Sequence, residues 1–232
     1  INGAKFIEKT LIKDEKLFHR YRNEDVGIAA TAFDYSYLVF AYVQLYKATL
    51  DEHYLSTAEK LNQTAMNLFW DSSSAGFFNS NNDDIILQQK DSYDGALPSV
   101  NAVLYFNLLS LSQLLHDTKL YEQALELNKY FAGKINQYPM AYTFWLTAQG
   151  IQQTGLPICV VVGQLSKDER RQFEDALSLQ GALQVIDPKS KTKLTKELLS
   201  KGFKQESDKT TYYVCKDFTC QKATTDINNA LS

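Results

Sequence analysis

Three polar side chains stand where helices are expected to begin: Asp34 in TAFDYSY, and Asp94 and Asn101 in DSYDGALPSVNAV. Helix N-termini present unpaired N–H groups and positive potential, a setting that serves capping and the binding of anionic or polar ligands equally well. Two carboxylates about 5–10 Å apart would suit glycoside chemistry, one as acid and the other as base or nucleophile. Asp34 and Asp94 are therefore the candidate catalytic residues. The plainer alternative is that each satisfies backbone donors, while Gly95 and Pro98 shape the turn. His19 and Arg20 lie in LFHRYRNED, ahead of the first of these helices. The imidazole could line a cavity, and Arg20 or Arg22 could hold a carboxylate or phosphate, although Glu24 and Asp25 offer surface partners. Tyr35, Tyr37, Phe77, Phe78 and Tyr93 form an aromatic set that suits either sugar faces or a core. The candidate ligand-binding residues are His19, Arg20, Tyr37, Tyr93 and Asn101.

Cys215 and Cys220 are separated by four residues. They could be half of a metal site, but no third and fourth ligand lies nearby. They could be a redox pair, or two bystander thiols. Cys159 sits inside an apolar strand and reads as core. There is no phosphate-binding glycine loop and no Ser-His-Asp order, so no metal and no cofactor is expected. His53 and His116 fall in short turns, as surface residues.

These side chains must be positioned by helices. In YLSTAEKLNQTAMNLFW, apolar residues at Tyr54, Ala58, Leu61, Ala65 and Leu68 make one helical stripe. Similar stripes run through Leu104, Leu108, Leu111 and Leu115, through Leu120, Ala124, Leu127 and Phe131, and through Phe144, Ala148 and Ile151. The pattern predicts helices over residues 3–13, 34–49, 53–70, 97–116, 119–135 and 140–153. Turns such as LDEH and HDTK are short, so neighbours should be antiparallel. The longer connections, 14–32 and 71–95, could carry short strands. Asp51, Tyr54, Ala58 and Leu61 correspond to Asp117, Leu120, Ala124 and Leu127 at a constant offset of 66 residues. A repeated helical hairpin implies a stacked solenoid or a closed ring. The same offset sets Asp34 opposite Val100, beside Asn101, in the first turn of an equivalent inner helix.

After Gly155 the texture changes. LPICVVVG, ALQVIDP and TTYYVC read as strands alternating with helices at 167–177 and 192–201, the first opened by a capping box from Ser166 to Glu169. Thr225 or Asp226 could cap a final short helix. The expected fold is mainly α, with helical hairpins over 1–153 followed by a small α/β region over 154–232 built on a three-stranded parallel sheet.

The chain has 232 residues, 44% hydrophobic and 22% charged, with a net charge of −3. That balance argues against a nucleic-acid partner. Apolar runs such as SYLVFAYVQLY stop short of the roughly 20 residues a membrane span needs, so no membrane partner is expected. The odd, sparse cysteine set suits a reducing, cytoplasmic setting. Asn62-Gln63-Thr64 matches a glycosylation sequon inside a predicted helix, where accidental matches are common.

The segments AFDYSYLVFAYVQLYKAT, LFWDSSSAGFF, YDGALPSVNAV, FAGKINQYPMAY and YYVCKDFTCQ together resemble the C-terminal portion of the uncharacterised thioredoxin-domain (YyaL-like, spermatogenesis-associated) family. The resemblance implies an (α/α)6 toroid of the six-hairpin glycosidase type, linked in the whole protein to a thioredoxin-like domain. This chain would be part of that toroid, with the remaining hairpins and the thioredoxin-like domain as partners and a sugar as a possible ligand. The family's acidic pair stands here as Phe33-Asp34, and its Pro-Ser-Gly-Asn-Ser as Pro98-Ser99-Val100-Asn101-Ala102, so this chain departs from the family pattern at the pair and at the glycine. Two functions follow as expectations: a carbohydrate-active or carbohydrate-binding toroid, hydrolase- or epimerase-like, or a non-catalytic scaffold for a protein or peptide. Half a toroid would also expose apolar helix faces, which predicts self-association at that edge.

Overall fold

The computed structural model describes residues 1–81, 87–177 and 181–231. The helical part begins with α1 (Asn2–Thr10), then three short strands, β1 (Ile12–Lys13), β2 (Lys16–Arg22) and β3 (Asp25–Ala29). Five longer helices follow: α2 (Ala32–Thr49), α3 (Glu52–Phe69), α4 (Val100–Leu114), α5 (Thr118–Gln137) and α6 (Thr143–Thr154). The first helix stops at Thr10, short of the expected 13, because Ile12 and Lys13 pair with β2 as an edge strand. Strands β2 and β3 lie within the 14–32 connection, where short strands were expected, and form an antiparallel sheet with β1 just ahead of it. Both hairpin loops hold two residues with positive φ, Asp14 and Glu15 and then Asn23 and Glu24. This is the twisted two-residue turn that joins adjacent antiparallel strands.

Helices α2, α4 and α6 lie side by side as an inner row, and α3 and α5 pack behind α2 and α4. The division follows from burial. Helix α2 is apolar around most of its circumference, whereas α3 and α5 each bury one stripe, including Ala58 and Leu61 on α3 and Ala124 and Leu127 on α5. The 66-residue repeat extends to the turns between inner and outer helices. Asp51 accepts from the His53 N–H and Asp117 from the Lys119 N–H, capping α3 and α5 in the same way. One residue earlier, Leu50 (φ 61) and His116 (φ 50) both take the left-handed conformation that ends the inner helix.

The C-terminal unit contains β4 (Ile158–Val162), α7 (Lys167–Ala176), β5 (Ala182–Ile186), α8 (Lys193–Ser200), β6 (Thr211–Lys216), β7 (Thr219–Cys220) and α9 (Ile227–Leu231). Its sheet has the order β5-β4-β6-β7. Strands β4 and β5 are parallel, but β6 runs antiparallel to β4 and β7 antiparallel to β6, which corrects the all-parallel, three-stranded expectation. A buried strand carries the same β-branched residues in either direction, so composition could not set its polarity. The capping box at Ser166 is present, and Asp226 rather than Thr225 caps the final helix through the Asn228 N–H.

One face of this sheet, with Cys159, Val161, Leu183 and Tyr212, packs on Phe173 of α7. The other, with Ile158, Val160, Ile186 and Cys215, belongs to the same core as the helical layer. The unit sits at the C-terminal ends of the inner helices. Arg170 donates to the Ala48 carbonyl of α2, Gln184 to Leu114, and Lys201 to Leu115 and His116. Cations placed on helix C-terminal carbonyls satisfy orphan acceptors and complement the helix dipole. No helix among the described residues is long and apolar enough to cross a membrane. Asn62 of the sequon is 3% exposed and faces the core.

Candidate functional site

The free end of the inner row is its N-terminal end, opposite the sheet. Three connections converge there: the β2–β3 hairpin, the loop over 87–99, and a short 3-10 turn at Pro139–Ala141. The Asp94 N–H donates to the Ala141 carbonyl at 2.9 Å, tying the 87–99 loop to the 3-10 turn, and the Tyr37 side-chain hydroxyl of α2 donates to the Pro98 carbonyl at 2.9 Å.

Asp94 is the hub of this end. One carboxylate oxygen accepts from the Ser99 N–H (2.8 Å) and hydroxyl (3.0 Å). The other accepts from the Phe144 (2.8 Å) and Trp145 (3.1 Å) N–H groups at the start of α6. Two carboxylate oxygens offer about four lone-pair sites, and here all four are occupied. The catalytic role expected of Asp94 therefore has no free lone pair to carry it. Asn101 is likewise used up. Its Oδ1 accepts from the Phe77 N–H (2.7 Å), and its amide donates to the carbonyls of Phe77 (3.0 Å) and Asp91 (2.8 Å). Buried completely, it pins the 71–78 loop to the inner row in place of the ligand contact expected of it.

Asp34 differs. Its Oδ2 accepts from the Thr31 N–H (2.8 Å) and hydroxyl (3.0 Å), the reciprocal half of a capping box on α2. Its Oδ1 faces His19 Nδ1 at 2.8 Å, with side-chain exposures of 19% for Asp34 and 53% for His19. The β2–β3 hairpin makes this meeting possible, anchored by the Leu17 N–H donating to the Tyr35 hydroxyl. A carboxylate at Nδ1 favours the tautomer that carries its proton on that nitrogen and leaves Nε2 as the acceptor. Arg20 pairs with Asp25 at 3.2 Å on the surface, the plainer of its two expected roles. Tyr93 is exposed and Tyr37 is committed to Pro98. Because the His19–Asp34 pair is half exposed, its removal should cost little. His19→Ala is expected to leave the α2 cap intact and shift the melting temperature by less than about 2 °C, as measured by thermal denaturation.

Sequence inspection missed an aromatic row across the inner helices. Phe33 stacks on Tyr37 with ring centroids 4.5 Å apart. One turn on, Phe40 meets Phe106 of α4 at 5.3 Å and Phe144 of α6 at 6.3 Å, and Phe106 meets Phe144 at 5.6 Å. Phe33, Tyr37 and Phe40 recur at helical spacing on one face. The 66-residue repeat carried the signal, since it maps Phe40 onto Phe106. Exposed apolar side chains ring the same end: Tyr93, Leu97, Tyr138 and Met140.

A second missed feature is Lys90. Its ammonium contacts Asp71 Oδ2 (2.7 Å), the Ser74 hydroxyl (2.8 Å) and the Ala75 carbonyl (2.5 Å), and sits over the rings of Phe78 and Tyr130. Lys90, then the hydroxyl of Ser73, hold the Asp71 carboxyl well below the usual carboxylate range.

The histidines and cysteines also depart from expectation. His53 is half exposed and faces Glu8 at 2.9 Å, whereas His116 is partly buried. It packs on Phe203, and burial lowers its pKa to about 4. Cys215 and Cys220 are joined as a disulfide across β6 and β7, so they are not two separate thiols, and the cysteine set no longer argues for a reducing compartment. Among the described residues no cluster of His, Cys, Asp and Glu could hold a metal ion.

No family model matches the chain. Among solved structures it is similar to a selenomethionine derivative of the GH76 alpha-mannanase BT2949 of Bacteroides thetaiotaomicron, at 18% identity and a TM-score of 0.46 over 57% of this chain and 37% of that one. Among curated proteins it is similar to the uncharacterized protein B0495.5 of Caenorhabditis elegans, 24% identical over 84% of this chain and 27% of that protein. It is also similar to spermatogenesis-associated protein 20 of Homo sapiens, 29% identical over 202 residues, 83% of this chain and 26% of that protein. The chain thus spans about a quarter of the length of the curated relatives it matches, and its similarity to spermatogenesis-associated protein 20 runs over most of its own.

Proposed function

We propose that the inner helices form one wall of a carbohydrate-binding cavity, which further hairpins of a longer protein complete into a toroid. The observation that carries this is the aromatic row, with Phe40, Phe106 and Phe144 contributed by three successive inner helices and the Phe33–Tyr37 stack beside them. Flat apolar rings bordered by polar groups suit the C–H faces of a pyranose. His19 Nε2 supplies a polar contact at the rim, held in orientation by Asp34. Two-carboxylate hydrolysis is not part of this proposal, because Asp94 is saturated by its caps.

A panel of glucose, mannose, N-acetylglucosamine and their 6-phosphates, titrated by calorimetry, tests it. At least one should bind, with affinity reduced roughly tenfold, about 1.4 kcal/mol, by Phe33→Ala or Phe40→Ala. Phe33 is exposed, so that variant keeps the core unchanged. Absence of binding to every sugar, or affinity untouched by both substitutions, would overturn the reading. The apolar rim of Tyr93, Leu97, Tyr138 and Met140 favours a second reading, a scaffold for an extended apolar peptide presented to a linked thioredoxin-like domain. Tyr93→Ser with Met140→Ser would then abolish peptide binding and leave sugar binding unchanged.

A further inference from the structure

The two bonded sulfurs are unequal in access. Strand register sets Cys215 directly opposite Cys220, with Cα atoms 3.9 Å apart. Cys215 is 3% exposed, within the core shared by sheet and helices, while Cys220, on the two-residue edge strand β7, is exposed. A cavity of about 390 Å³ opens beside Cys220, between the turn that follows α4 and the C-terminal unit. His116, Lys201, Phe203, Tyr213 and Phe218 line it, with one cation and no carboxylate among them. Lys201 is held in place by the carbonyls of Leu115 and His116. Lys201 and Cys220 line the same cavity, and a nearby cation favours the thiolate form in which Cys220 is released. The bond closes a loop of only four intervening residues, so it constrains the unfolded chain little, and stability alone is a weak reason for it.

We propose that Cys215–Cys220 is a thiol–disulfide exchange site entered at Cys220 Sγ from this cavity, with a dithiol as its electron donor. The donor's thiolate attacks Cys220 Sγ, a mixed disulfide forms, and the bond to Cys215 breaks. Cys215 leaves as a thiolate and takes the proton that the donor's second thiol gives up. The donor's second thiol, as its thiolate, then attacks the donor sulfur in the mixed disulfide and releases Cys220 as a thiolate, which is protonated in turn. The donor ends as a disulfide, oxidised by two electrons, and the chain ends with two thiols. Attack at Cys215 Sγ is blocked because that sulfur lies in the core. Cys159 takes no part, since it is buried in β4 and burial pushes its thiol up to about 12.

Native chain is incubated with millimolar dithiothreitol, alkylated with iodoacetamide and analysed by mass spectrometry. One label is expected, at Cys220, and none without dithiothreitol, with Cys215 and Cys159 unlabelled because both are buried and with the circular dichroism spectrum unchanged. With glutathione disulfide, Cys215→Ser should acquire a single adduct at Cys220 at least about tenfold faster than Cys220→Ser acquires one at Cys215. In a glutathione buffer with reduced thiol in excess the pair should be substantially reduced at equilibrium. A pair that stays oxidised there, or that opens only when Cys159 is labelled at the same rate, would overturn the proposal. The wild-type labelling alone decides this should Cys215→Ser fail to fold.

Discussion

Replacing Asp94 with alanine is expected to lower the melting temperature by roughly 6–12 °C, about 3 kcal/mol for a chain of this size. Four donors lose their acceptor at once: the Ser99 N–H and hydroxyl before α4, and the Phe144 and Trp145 N–H groups at the start of α6. Loss of a single side-chain cap costs about 1 kcal/mol, and hydrogen bonds to a charged acceptor contribute about 1.5–3 kcal/mol each when buried. Asp94 is only partly buried, and water replaces some of these contacts, which brings the expected total well below their sum. Asp94→Asn keeps one acceptor oxygen and should recover about half of the loss. Thermal denaturation of both variants measures this. A loss under about 1 kcal/mol in Asp94→Ala would show that the carboxylate does not organise the two helices, and would reopen a chemical role for it.

The second large effect is expected at Lys90. Lys90→Met removes the ammonium of a side chain that is 8% exposed and leaves the Asp71 side chain, 14% exposed, without its cation. Removing one partner of a desolvated pair costs about 3–5 kcal/mol when burial is complete, so about 3 kcal/mol is expected here. Met fills similar space between Phe78 and Tyr130, which separates the loss of charge from a loss of packing. The pair also gives stability a pH dependence. The Asp71 carboxyl titrates lower in the folded chain than in the unfolded one, so the unfolded chain binds the proton first as pH falls. Its stabilisation is fully present above the ordinary carboxylate value of about 3.9 and is lost progressively below it. Urea titrations at pH 7 and pH 3 should therefore differ less in Lys90→Met than in the native chain. An equal pH response in both would show that Lys90 does not set the Asp71 carboxyl.

The 3.6-residue stripes placed α2 to α6 within a few residues, because a helix face is a local, periodic property that the order of side chains states directly. The 66-residue offset went further than the helices. It set the turns that begin at Asp51 and Asp117, a local geometry repeated with its residue. The left-handed residues Leu50 and His116 and the facing rings Phe40 and Phe106 recur at the same offset, and only the structure brought them out.

What only the tertiary structure decided is which polar atoms remain free at the N-terminal end of the inner row. Asp34 and Asp94 look alike as sequence, each a carboxylate ahead of or within a first helical turn. They differ because α6 arrives beside Asp94 and takes its second oxygen, while a β-hairpin arrives beside Asp34 and brings His19. Loop paths that join residues 50 positions apart leave no periodic trace, so neither encounter could be read along the chain. The same holds for the reversed direction of β6 and for the joining of Cys215 to Cys220. Strand polarity and sulfur pairing follow from where the chain turns back, and that is settled by packing of the whole sheet against the helices.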